Sequence, residues 1–325
     1  MKALVGLLAA ACLGIQSLTA LAQPYPARPI TVVVPFAAGG GTDTVARILA
    51  EHMSRNLGQS IIVENASGAG GTLGALRIAR SAPDGYRLLM GNLGTHAASI
   101  VLYPNRGYDP LGDFEPIGLI ASLPLFVGAK KSLPVTDFRS FIAHVKEHQK
   151  IMNYGSAGIG SSGHMVCHFM NQLIGVEVQH VPYRASGQAL TALLAGDIDY
   201  VCDAAGAITE QIASGNVRGV VVSAKERLAA LPDMPTSVEQ GLPAFQAVGW
   251  NMLFAPKATP PEIVVKLSGA VEDALNDAAF QKRLVDLGAI VPKPKEAGPV
   301  ASRELVRAEI DKWVPVLRSA GITGN

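Results

Sequence analysis

An apolar, β-branched run, Ile30-Thr31-Val32-Val33-Val34-Pro35, passes into Ala38-Gly39-Gly40-Gly41-Thr42-Asp43 and then into Val45, Ile48, Leu49, Met53 and Leu57, with Gly58 as a stop. A run apolar at nearly every position suits a strand buried on both faces, and the spacing after it suits a helix laid on the sheet. The unit recurs. Residues 60–64 read as a strand, 65–71 as a second glycine loop, 72–81 as a helix and 87–91 as a third strand ending in Asn92-Leu93-Gly94-Thr95. No other feature constrains the chain so tightly, because strands and helices alternating at this length predict parallel sheets covered on both faces.

A second series starts near Leu123. Residues 125–129 read as a strand, 137–148 as a helix, 151–154 as a strand, Gly155-Ser156-Ala157-Gly158-Ile159-Gly160-Ser161-Ser162-Gly163 as a loop and 164–174 as a helix. Strands over 176–181, 199–203 and 217–222 follow, separated by helices over 188–195 and 207–214. From Pro260 onward the spacing is helical only, so the tail is expected to pack on a sheet already formed, with residues 250–255 as the strand that carries the chain back. These elements predict two α/β lobes, residues 23–123 with 249–325 and residues 124–248. Two crossovers, near residues 120–126 and 248–254, are expected to hinge around a cleft.

Met1 and Lys2 precede an apolar run over residues 3–15, and Ala20-Leu21-Ala22 has the small-x-small pattern of a signal peptidase site. Residues 1–22 are therefore expected to be a signal peptide removed after Ala22. The run is shorter than the roughly 18 to 20 apolar residues of a spanning helix, which points to a soluble exported protein. Lys plus Arg number 27 against 26 Asp plus Glu, a net charge of +1 that falls to zero when Lys2 leaves. That balance speaks against nucleic acid or an anionic membrane as partner. Aromatic residues at 6% also disfavour base-stacking platforms and cation cages. The mature chain keeps Cys167 and Cys202, an even number in a compartment where disulfides persist, and one bridge within the second lobe is expected.

Three glycine loops, at 39–42, 68–71 and 155–163, run into helix starts, where unpaired N–H groups seat an anion and glycine allows close approach. The same glycines could serve tight turns alone. Three loops at strand C-terminal ends in two lobes favour a ligand site. Gly158-Ile159-Gly160-Ser161-Ser162-Gly163 also matches the dinucleotide fingerprint, so an exported oxidoreductase is the enzyme alternative. The ribose-binding acid belongs near the end of the second strand, however, and Glu177 stands near its start. A non-binding interaction protein with an incidental cleft is the other alternative. His164, Cys167 and His168 could hold zinc by spacing, but a bridged Cys167 is no thiolate ligand. No catalytic residue, metal or cofactor is expected. No arginine lies inside the loops, which leaves backbone donors, hydroxyls and bridging waters to hold an anion.

Pro35-Phe36-Ala37-Ala38-Gly39-Gly40-Gly41-Thr42-Asp43, Val63-Glu64-Asn65-Ala66-Ser67-Gly68-Ala69-Gly70-Gly71, Gly158-Ile159-Gly160-Ser161-Ser162-Gly163-His164, Val181-Pro182-Tyr183, Gly196-Asp197-Ile198-Asp199 and Ala255-Pro256 occur in this order. Together they resemble the Bug family, the extracytoplasmic substrate-binding receptors of tripartite tricarboxylate transporters, over nearly the whole mature chain. The resemblance implies a two-lobed periplasmic binding protein fold, type II-like. It implies a receptor that closes in the periplasm on a small carboxylate (an amino acid, a di- or tricarboxylate or an aromatic acid) and delivers it to integral membrane transporter components. A monomer is expected. Carried onto this chain, the ligand-binding residues are Phe36, Gly40, Gly41 and Asp43 in the first loop, Gly70 and Gly71 in the second, and Thr95 after the third strand. Gly158, Ser161, Ser162 and His164 face them from the other lobe, with Asp203 at a strand end nearby. Family members often carry Pro at positions 37 and 38, and Pro or Arg at 66 or 67, where this chain has Ala37, Ala38, Ala66 and Ser67. Asp203 is expected to repel a second carboxylate and accept from an amino group, which admits a monocarboxylate with a cationic or hydroxyl group as readily as citrate.

Overall fold

A computed structural model describes residues 24–204, 207–228 and 231–319; the expected leader, residues 1–22, lies outside them. Strand β1 (Ile30–Val34) leads through the first glycine loop into α1 (Gly41–Leu57), which buries Val45, Ile48, Leu49 and Met53 and ends at Gly58 in the left-handed region. The unit repeats through β2 (Ile61–Asn65), a 3-10 turn (Ala69–Gly71), α2 (Thr72–Ala79) and β3 (Arg87–Asn92). A wide π turn (Gly94–Ala98) and α3 (Ser99–Leu102) follow.

Strand β4 (Phe114–Lys130) runs 17 residues, whereas the sequence pattern revealed only its last part. Pro116 and Gly118 are poor strand residues, and register shifts at Pro116/Gly118 and Leu119/Ala121 accommodate them. Next come α4 (Phe138–His148), β5 (Asn153–Ser156), α5 (Ser162–Ile174), β6 (Gln179–Pro182), α6 (Ser186–Ala195), β7 (Tyr200–Ala204), α7 (Ala207–Ala213) and β8 (Val217–Val222). Strand β9 (Val248–Pro256) precedes the helical tail of α8 (Pro261–Asn276), α9 (Ala278–Asp286), α10 (Pro294–Ala297) and α11 (Pro299–Ser319).

The strands form one sheet of order β2-β1-β3-β9-β4-β7-β5-β6, with β8 also on β4. The expectation of parallel sheets is corrected to a mixed one. β1 pairs in parallel with β2 and β3, and β5 with β6 and β7. β9 is antiparallel to β3 and to the first part of β4, and the last part of β4 is antiparallel to β7 and β8. The reason is the two-lobed plan. The parallel strands of each lobe run toward the edge facing the other lobe, while a strand arriving from that other lobe must run away from it.

The main core extends from Ile30 and Leu89 through Phe254 and Trp250 to Phe141 and Tyr154, and a smaller cluster gathers Phe126, Leu193, Val201 and Ile208. Helices α8 and α11 pack on β4, as the helical tail predicted. α11 also reaches α5: the buried Trp313 ring lies 5.4 Å from Phe169, and Gln172 Nε2 donates to Ser319 Oγ at 2.8 Å. Cys167 on α5 and Cys202 on β7 form the expected disulfide, with Cα atoms 5.4 Å apart. Among the described residues no helix is long and apolar enough to cross a membrane.

Candidate functional site

Because β1, β2 and β3 are parallel, the loops that follow them emerge at one edge of the sheet. They meet on the Phe36 ring. A Cβ on Gly71 would lie 2.9 Å from Thr95 Cγ2 and 3.1 Å from Phe36 Cζ, and one on Gly70 would strike the Tyr103 ring. Both glycines adopt positive φ, 91° and 63°, so the close approach and the backbone each require glycine. Gly41 differs, since a Cβ there would meet only Leu123 Cδ1 at 3.9 Å.

Asp43 is buried in the first turn of α1. Its Oδ2 accepts from Gly39 N and Arg47 Nε, and its Oδ1 from Asn65 Nδ2, all at 2.9 Å. Asn65 Nδ2 also donates to Phe36 O at 3.1 Å. Burial alone would raise this carboxyl, but the Arg47 guanidinium and the other donors outweigh it and hold the pKa down at about 2. Both carboxylate oxygens are thus occupied in fastening the first loop to the end of β2. Thr95 is fully buried, with Oγ1 accepting from Asn92 N and donating to Asn92 O, both at 3.0 Å. Asn92 Nδ2 reaches Thr42 Oγ1 at 3.3 Å, which makes the three loops one hydrogen-bonded unit.

In the other lobe Ser161 caps α5, its Oγ accepting from His164 N at 3.3 Å and donating to Gly158 O at 2.8 Å. His164 Nδ1 accepts from Gly160 N at 3.0 Å, which assigns the ring proton to Nε2. The His164 ring stacks on His180 at 4.0 Å, and His180 Nε2 lies 2.7 Å from Ser156 Oγ. Burial first, then the His180 and His168 charges, push His164 down to about 3, and burial pushes His180 down to about 4. Neutral imidazoles therefore buttress this loop near pH 7. Gly158 has φ 110°, Ser162 is exposed, and a side chain on Gly163 would collide with Cys202 O. The last glycine of the apparent dinucleotide fingerprint thus serves helix–strand packing. Asp203, half-buried at the end of β7, accepts from Ala204 N at 2.9 Å and Ser186 Oγ at 3.2 Å, and burial pushes its carboxyl up to about 6.

The loop before α5 comes up against the first three strands' side of the molecule at Leu102, which a Cβ on Gly160 would strike. Phe36, Asp43, Gly71 and Thr95 thus fall in one network, with Gly70 next to Gly71 and with Gly40 and Gly41 beside it at the start of α1, and Gly158, Ser161 and His164 fall in another. The bonds of Asp203 go to Ala204 and Ser186 and to neither network. Sequence reasoning overlooked Arg47, Asn65, Asn92, Ser156 and His180. Asn65 and Asn92 stand at strand ends beside the glycine loops, a position that could have flagged them, but nothing local ties His180 to Ser156. Among the described residues no three His, Cys, Asp or Glu side chains are placed to hold a metal, and Cys167 is in the disulfide.

Residues 45–322 match the model of the tripartite tricarboxylate transporter family receptor. MatC from Rhodopseudomonas palustris, solved with bound malate, is 44% identical with a TM-score of 0.79, covering 90% of this chain and 100% of that one. The periplasmic binding protein BugD is 38% identical with a TM-score of 0.79, covering 93% and 100%. R. palustris Rpa4515, solved with adipate, is 34% identical with a TM-score of 0.82, again covering 93% and 100%. The resemblance carried by the glycine loops is borne out: this chain belongs to the tripartite tricarboxylate transporter receptor family.

Proposed function

We propose that the protein is a periplasmic solute-binding receptor that captures a small carboxylate and hands it to integral membrane transporter components, without catalysing a reaction. The observation that carries this reading is the fusion of three strand-end loops into one unit around Phe36, opposite the capped start of α5. Such a unit presents backbone donors in fixed positions and needs no arginine. Malate and adipate, held by the similar MatC and Rpa4515, are both dicarboxylates, which supports this chemistry.

In this reading residues 23–123 and 249–325 form the first lobe and residues 124–248 the second. Phe36, Gly40, Gly41, Gly70, Gly71 and Thr95 line one wall, with Asp43 holding its shape. Gly158, Ser161, Ser162, His164 and Asp203 line the other. The mature monomer starts after Ala22 and uses no cofactor and no nucleic acid. A thermal-shift panel of carboxylates, amino acids and aromatic acids tests it, since a ligand at 100 times its Kd adds about 2.7 kcal/mol of stability. A shift with at least one acid is expected. No shift at millimolar concentration, or a shift with nicotinamide dinucleotides alone, overturns it.

A further inference from the structure

Asn251 is a polar side chain that the fold buries and leaves unpaired. It lies in β9 at 2% exposure, and its Oδ1 has no hydrogen-bond partner among the described residues. Buried amide oxygens are ordinarily satisfied, so this one calls for a donor that the chain itself does not supply. In the antiparallel register Asn251 stands opposite Asn92 on β3 and Ala121 on β4. Directly opposed residues of antiparallel strands project to the same face. That face carries the start of α1. Asn92 Nδ2 reaches Thr42 Oγ1 there, and Leu123, opposite Gly249 and so on the Asn251 face, is the side chain nearest to Gly41. α1 begins at Gly40 without a side-chain cap, so its first-turn amides are left to an outside acceptor. A helix start that wants an acceptor and a buried oxygen that wants a donor therefore lie on one face of the sheet.

We propose that Asn251 is a specificity-determining residue whose Oδ1 accepts a hydrogen bond from a hydroxyl or ammonium group carried beside the ligand carboxylate. The inference rests on the receptor reading above. An amide oxygen offers lone pairs only, so it gains nothing from a methylene and is repelled by a bare carboxylate. A substituent on the carbon next to the carboxylate satisfies it while the carboxylate oxygens take the α1 amides. The ligand class is then a 2-hydroxy or 2-amino acid in preference to its unsubstituted parent.

Malate, aspartate and succinate separate these groups, because malate and aspartate add one hydroxyl or one ammonium to succinate. Isothermal titration of the wild type is expected to show malate or aspartate binding at least about tenfold more tightly than succinate. Asn251→Leu is expected to bring the ratio within about twofold by weakening the substituted acid alone. Asn251→Ala, which leaves the β9 backbone pairing in place, gives the same comparison where the leucine variant does not fold. Succinate bound as tightly as the other two, none of the three bound, or a preference unchanged in the variants overturns the assignment. The wider acid panel separates this from failure of the receptor reading, which falls only when the wild type binds no acid at all.

Discussion

Gly71 caps α2 and Gly41 opens α1, yet only Gly71 combines a positive φ with neighbours inside the reach of a methyl group. Gly71→Ala should cost about 1–3 kcal/mol and displace Phe36 or Thr95, whereas Gly41→Ala should leave stability within about 0.5 kcal/mol. Chemical denaturation of the two variants checks the contrast, and equal losses would refute the fitted-loop account. Asp203 gives a pH prediction. Its carboxyl, pushed up to about 6 by burial, gains charge as pH rises through that value. A dicarboxylate seated against it is then repelled more strongly, so affinity should fall several-fold between about pH 5.5 and about 7.5. Asp203→Asn should flatten that profile in calorimetric titrations, and an unchanged profile would remove Asp203 from the site. The sequence marks Asp43 as a loop carboxylate, but only the fold shows both its oxygens taken by Gly39, Arg47 and Asn65.

Helix α5 shows what one element contributes. Ser161 caps it, His164 stands in its first turn, and its middle is tied to β7 through Cys167 and Cys202, 35 positions apart. Closing a loop of that length stabilises the fold by roughly 3–4 kcal/mol in the chain-entropy picture. Cys167→Ala combined with Cys202→Ala should lower unfolding stability by about that amount, because both positions are buried and alanine introduces no unpaired hydroxyl. Urea denaturation measures the loss, and a variant as stable as the wild type would show the bridge to be dispensable. Strand β4 shows the opposite case for legibility. Its second part is visibly strand-like, while Pro116 and Gly118 hide the first part, which β9 nevertheless pairs by shifting register.

For the whole molecule, β4 and β9 lie side by side where the chain passes between lobes, paired from Phe114/Pro256 to Pro124/Val248. Two adjacent strands sharing one axis permit rotation of the lobes while each stays packed. Trp313 against Phe169 adds an apolar contact between the tail helix and the second lobe, so closure must slide across it. Small-angle scattering should show a smaller radius of gyration when a bound acid saturates the protein, and identical curves would refute the hinge. The sequence by itself determined the alternation of strands and helices, the three glycine loops and the pairing of two cysteines. Apolar period, turn residues and cysteine count are local or countable properties that need no partner. Strand direction at the crossovers, the unbroken length of β4, the stacking of His164 on His180 and the placement of Asn251 opposite Asn92 were decided only by tertiary structure. Each depends on which distant segment lies alongside, and a strand or a buried side chain acquires that neighbour only when the sheet assembles.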